Sequence, residues 1–101
     1  MASLSFHFVT RDPARASQWY QAVLGAYETS RITLPDGDVL TIDLQLGDDQ
    51  IAIADELPEH GIVSPLTLGG TYGALHLSVE DVDASWARAL EAGAEVFEPL
   101  H

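Results

Sequence analysis

Along the first strand-like stretch Leu4, Phe6 and Phe8 alternate with Ser5, His7 and Val9, the period-2 rhythm of a strand with two unlike faces. After Asp12 the rhythm lengthens. Ala16, Trp19, Tyr20, Val23 and Leu24 recur at i, i+3, i+4, i+7 and i+8, which is one apolar stripe along a helix. The Asp12 carboxylate is placed to accept a free amide of the first helical turn, and Pro13 follows where a missing N–H costs nothing. Gly25 is the expected left-handed stop. Ala26 to Thr33 then reads as a strand, Leu34-Pro35-Asp36-Gly37 as a hairpin turn, and Val39 to Leu46 as the returning arm. In that arm Leu40, Ile42, Leu44 and Leu46 point one way, and Val39, Thr41, Asp43 and Gln45 the other. Gly47-Asp48-Asp49 turns the chain into Gln50 to Ala54, with Ile51 and Ile53 toward the core and Ala52 and Ala54 opposite. The first half of the chain is therefore predicted to be β-α-β-β-β.

The opening pattern returns in altered form at Leu75 to Ala94. His7 precedes Asp12 by five residues and Gly25 by eighteen, while His76 precedes Asp81 by five and Gly93 by seventeen, so one deletion aligns the two copies. Leu75, Leu77 and Val79 are expected on one face of a strand, Asp81 as a second cap, Val82, Trp86, Ala89 and Leu90 as a second stripe, and Gly93 as a second stop. The matching positions of Trp19 and Trp86 predict that both pack their helices onto the sheet. Ala94 to Phe97 is expected to begin another strand. These expectations divide one domain of residues 1–101 into a first module at 1–54, a Gly- and Pro-rich linker at 55–72 and a partial second module at 73–101. A full second copy would run roughly 22 residues past His101, so the second module is expected to be incomplete. The unpaired strand edge left by such a module predicts association into a homodimer.

Composition narrows the partners. With 47% hydrophobic residues in 101, the chain carries a core of modest size. Sixteen acidic residues against four Arg and Lys give a formal charge of −12, which repels phosphate backbones and argues against nucleic acid while favouring a cationic ligand. No apolar run approaches the roughly 20 residues of a membrane helix, so no membrane partner is expected. MASLSFHF has neither a basic region nor a long apolar stretch of a secretory signal, and cysteine is absent, so a cytoplasmic location is the expectation.

Two β-α-β-β-β modules joined by a linker resemble the glyoxalase, bleomycin-resistance and extradiol-dioxygenase superfamily, the vicinal oxygen chelate proteins. The phrases RDPARASQWYQAVLGA, LPDGDVL, IAIADELPEHG and LHLSVEDVDASWARALEAGAEV look like its small PhnB-like branch. The resemblance implies an α+β fold of paired βαβββ modules. It spans isomerases, dioxygenases, thiol transferases and non-catalytic drug binders, so it constrains fold more than activity. In the metal enzymes of the family a His or Gln stands about seven residues before the capping Asp. Here those places hold Ser5 and Ala74, neither of which anchors a divalent metal well.

Strand parity gathers Ser5, His7, Thr41, Asp43, Gln45, Ala52, Ala54, Ala74, His76 and Ser78 on the face away from the helices. Of these Ser5, His7, Thr41, Asp43, Gln45, His76 and Ser78 are the candidate ligand-pocket residues, small and polar groups suited to orienting a small organic molecule. His7 and His76 are expected to be related by a pseudo-twofold axis. Read as polar walls, they belong to a small-molecule-binding protein, an antibiotic among its candidate ligands, with no assured cofactor. The alternative makes them a divalent-metal pair completed by a carboxylate such as Asp43, in a metal-dependent lyase, isomerase or dioxygenase. Asp55, Glu56, Glu59 and His60 read as a solvated loop.

Overall fold

The computed structural model describes residues 4–71 and 75–96. Their order is β1 (Phe6–Thr10), α1 (Pro13–Leu24), β2 (Tyr27–Thr33), β3 (Val39–Leu46), β4 (Asp49–Asp55), a 3-10 turn at Pro58–His60, α2 (Pro65–Leu68) and α3 (Val82–Glu91). The four strands form one sheet in the order β1-β4-β3-β2, with β1 parallel to β4 and the other pairs antiparallel. This is a mixed α+β architecture.

Local chemistry sets the helix ends. Asp12 accepts from the Arg15 amide at 3.1 Å, Pro13 occupies the first turn, and Gly25 closes α1 at φ 74°. Asp81 accepts from the Ala84 amide at 2.9 Å, so the two aspartates cap corresponding helices as the repeat predicts. Past α3 the Gly93 amide donates to Leu90 and the Ala94 amide to Ala89, with Gly93 at φ 96°. That pair of bonds around a left-handed glycine is a Schellman stop. Leu34 and Gly37 close the β2–β3 hairpin through Gly37 N–H to Leu34 C=O at 2.9 Å and Leu34 N–H to Asp38 C=O at 2.8 Å.

The core lies between α1 and one face of the sheet. Ile42, Leu44, Ile51, Ile53 and Ala26 are its buried centre, and Phe8, Ala16, Tyr20, Val39 and Leu46 pack around them. Phe8 stacks on Tyr20 with ring centroids 5.9 Å apart, which fixes β1's even-numbered residues beneath the helix. Burial pushes the Tyr20 phenol above its ordinary pKa.

Four expectations need correction. Residues 75–79 carry no strand, nor do 94–96; Phe97 lies outside the described residues. A strand exists through its ladder, and neither segment acquires a hydrogen-bonded neighbour strand among the described residues, so alternation alone does not create one. The pseudo-twofold relation of His7 to His76 is accordingly not formed by matching strands. Trp19 does not settle onto the sheet: its Nε1–H donates to the Ala92 carbonyl at 3.1 Å, and the Arg88 Nε–H donates to the Val23 carbonyl at 3.2 Å, joining α3 to α1. Trp86 is half-buried on α3, which has no buried residue.

The linker is also more ordered than its composition implies; Tyr72 lies outside the described residues. Asp55 belongs to β4, and Leu57 bridges to Ile62. The Glu56 carboxylate accepts from the buried Ser64's amide at 2.8 Å, and Arg11 Nε–H donates to Thr67 Oγ1 at 3.1 Å. The hydrogen bond donated by the Ser64 amide, helped by one from the Thr67 side chain, holds Glu56 below the usual glutamate range. Glu56 is thus a loop anchor, not a freely solvated acid. No helix of the described residues is long and apolar enough to cross a membrane.

Candidate functional site

Opposite α1 the sheet leaves a face whose composition follows from register. One row across it reads His7, Ala52, Asp43 and Ser30; the next reads Val9, Ala54, Thr41 and Ile32. A third pairs Gln50 with Gln45 and Gln45 with Tyr27. Gln50, Ala52 and Ala54 therefore run down β4 with larger residues on both sides. His7 and Val9 form one wall and Thr41, Asp43 and Gln45 the other, over a floor of two methyl groups. The walls stand two strand spacings apart, roughly 9.6 Å between backbones. Side-chain size along the register thus outlines a shallow trough, apolar below and polar along its rims, narrow enough at its floor to leave Ala52 2% exposed.

Its polar groups are partly fixed. Ser30 Oγ donates to Asp43 Oδ2 at 2.6 Å, while Ser5 Oγ lies 3.3 Å from His7 Nε2. Asp43 is half-buried, and His7 and Ser5 are exposed. Asp43 is the single carboxylate on this face among the described strand residues, so any charge selection within the trough falls to it.

The expected site set therefore divides. His7, Thr41, Asp43 and Gln45 share the trough with Ala52 and Ala54, and Ser5 joins them through His7. His76 and Ser78 do not. Ser5 and His76 line a separate cavity of about 370 Å³ at the end of the sheet, between Leu4, Phe6, Leu46, Ile51 and Leu75. Ser78 borders an adjoining hollow with Leu24, Gly47 and Asp48. Ala74 lies outside the described residues. Ser30 is not among the residues that strand parity picks out, because β2 carries a register shift between Glu28 and Ser30, which reverses the parity from Ser30 to Ile32 before a second shift at Thr33. The signal available was the hairpin turn, which sets Ser30 near Asp43 once the bulge is allowed.

The donor set among the described residues does not fit a resident divalent metal. Among the described residues no three His, Asp or Glu side chains gather as a metal-binding group. The Asp43 carboxylate is bonded to Ser30, His7 stands across Ala52 from it, and His76 lines another cavity. The His7–His76 pair completed by Asp43 is not assembled.

Comparison with known proteins gives a consistent family. Residues 4–101 match the profile of the Glyoxalase/Bleomycin resistance protein/Dioxygenase superfamily. An uncharacterised protein of Mycobacterium bovis is 37% identical over 101 residues, covering 97% of this chain and 66% of its own length. An uncharacterised protein of Mycobacterium tuberculosis matches equally, at 37% over 97% of this chain and 59% of its own. The chain thus spans about 59–66% of the length of the curated relatives it matches. Among solved structures, a gene product of Arabidopsis thaliana superposes with a TM-score of 0.76 at 22% identity, covering 99% of this chain and 80% of that one. TioX from Micromonospora sp. ML1 gives 0.65 at 22%, over 100% of this chain and 80% of that one. A bleomycin resistance determinant encoded on the transposon Tn5 gives 0.60 at 18%, over 98% and 72%. At these identities the structural likenesses establish the fold.

Proposed function

This chain belongs to the Glyoxalase/Bleomycin resistance protein/Dioxygenase superfamily, and on that premise we propose that it binds a small organic cation along the alanine-floored trough. In this reading it is a PhnB-like, cytoplasmic homodimer that holds its ligand without converting it, a cationic antibiotic being one candidate. The observation that carries the proposal is Asp43, a lone carboxylate set beside two alanines on the uncovered face. The methyl floor accepts an apolar ligand body, and the carboxylate supplies one fixed counter-charge. A formal charge of −12 draws cations toward the protein before contact. Binding suits this set better than catalysis, because His7 and Asp43 are separated by Ala52 and share no hydrogen bond among the described residues.

The test is calorimetric titration of the purified chain with a cationic glycopeptide of the bleomycin type, at low and at physiological salt. Binding should weaken with salt, since exposed charges are screened over about 8 Å at physiological ionic strength. Asp43→Asn removes an attraction of about 1–4 kcal/mol for a cation some 4 Å away, so affinity should fall by roughly five- to a thousandfold, toward the lower end on a face this open. Absence of binding at low salt, or full affinity in Asp43→Asn, would refute the proposal.

A further inference from the structure

Strand β2 lies at the edge of the sheet, and all seven of its residues are exposed. Its side chains have an unusual symmetry. The register shift between Glu28 and Ser30 places Tyr27 and Ile32 on one face, opposite Gln45 and Thr41, and Glu28 and Arg31 on the other, opposite Leu44 and Ile42. In an unbroken strand residues 28 and 31 would point to opposite faces. With the shift, Tyr27-Glu28-Thr29-Ser30-Arg31-Ile32 reads the same from either end in chemical terms: apolar, charged, hydroxyl, hydroxyl, charged, apolar. The two charges are of opposite sign. Tyr27 is 59% and Ile32 57% exposed, so neither is committed to the core.

From this symmetry we propose that β2 is the docking surface for a second copy of the chain, paired antiparallel about a twofold axis midway between Thr29 and Ser30. Glu28 then stands opposite the partner's Arg31 and Arg31 opposite the partner's Glu28. Tyr27 meets the partner's Ile32 on the other face, and the reverse pair repeats it. Opposite charges and aromatic with β-branched residues are the cross-strand combinations that stabilise antiparallel pairs. Charges and bulges on an edge strand normally repel unrelated strands. Here they are satisfied in one register, by one partner, the same strand of another copy. Within a single chain Arg31 already bonds Glu28, at 2.6 Å through Nη2, so the two charges stand side by side on one face of the strand. The axis is perpendicular to the sheet, so both troughs open on the same side of an eight-stranded sheet. The proposed homodimer thereby acquires a surface and a register, which rest on the proposed function only for the existence of the second copy and are read by mass, not by ligand.

The experiment is light scattering with size-exclusion chromatography on the full chain and on Glu28→Arg, Arg31→Glu and the double exchange. The wild type is expected at twice the monomer mass. Each single variant places like charges opposite one another and should run as a monomer. Mixing the two single variants in equal amounts should restore the doubled mass, because every opposed pair in the mixed dimer is again complementary, and the double exchange should also be dimeric. A monomeric wild type overturns the proposal, as do single variants that stay dimeric or a mixture that stays monomeric. If the single variants do not fold, the double exchange decides: it keeps both the internal bridge and the reciprocal pairs, so a folded monomer overturns the proposal.

Discussion

Ala52 and Ile53 are adjacent, 2% and 0% exposed, and face opposite sides of β4. Solvent exposure alone would treat them as equals. The sheet does not, because Ile53 lies between Phe8 and Ile42 under α1, while Ala52 floors the trough between His7 and Asp43. Ile53→Val deletes one methyl group from the packed side and should cost about 0.5–1.5 kcal/mol. For a domain of this size that lowers the melting temperature by about 4–8 °C per kcal/mol. Ala52→Val adds two methyl groups on the uncovered side, where a β-branched residue suits a strand, and should change stability by no more than about 0.5 kcal/mol. Urea unfolding followed by Trp19 and Trp86 fluorescence, at one fixed protein concentration, measures both. An Ala52→Val penalty of about 1–3 kcal/mol, the range for overpacking a closed core, would mean that the second face is covered and the trough does not exist.

Other consequences are independent of the trough. Asp12→Ala and Asp81→Ala each remove a cap and should cost about 0.5–2 kcal/mol, measured by the same unfolding, with Asp12→Asn closer to neutral. Glu56 ionises in the folded chain below its ordinary 4.5, so its contribution is present above that value and lost as pH falls through the lower, folded one. Glu56→Gln should therefore flatten the loss of stability on the acid side of pH 4.5, in melts taken from pH 6 downward; an unchanged acid limb would contradict the anchoring role.

What was legible in the sequence was what depends on near neighbours. The caps at Asp12 and Asp81, the glycine stops and the Leu34 to Gly37 turn are made by residues within a few positions of one another. Strand parity placed His7, Thr41, Asp43 and Gln45 on one face correctly because β1 and β3 are regular through those residues. It offers nothing at Ser30, where a bulge between Glu28 and Ser30 reverses the faces and no alternation marks it. It failed at 75–79, where alternation predicts a strand but pairing depends on residues distant in sequence. Trp19 shows the same limit: its helical position matches Trp86, yet its indole bonds the end of α3 at Ala92. His76 was grouped with His7 by the repeat, and the described structure puts it at another cavity for want of that strand.

The trough's occupancy is tested most directly by intermolecular NOEs between a bound cationic glycopeptide and the methyl groups of the selectively labelled full chain. The Ala52 and Ala54 methyls should show contacts to the ligand, and the Ile42, Leu44 and Ile53 methyls, on the α1 side, should show none. Contacts confined to the Leu46, Ile51, Leu75 and Leu77 methyls would place the ligand in the end cavity and contradict the account.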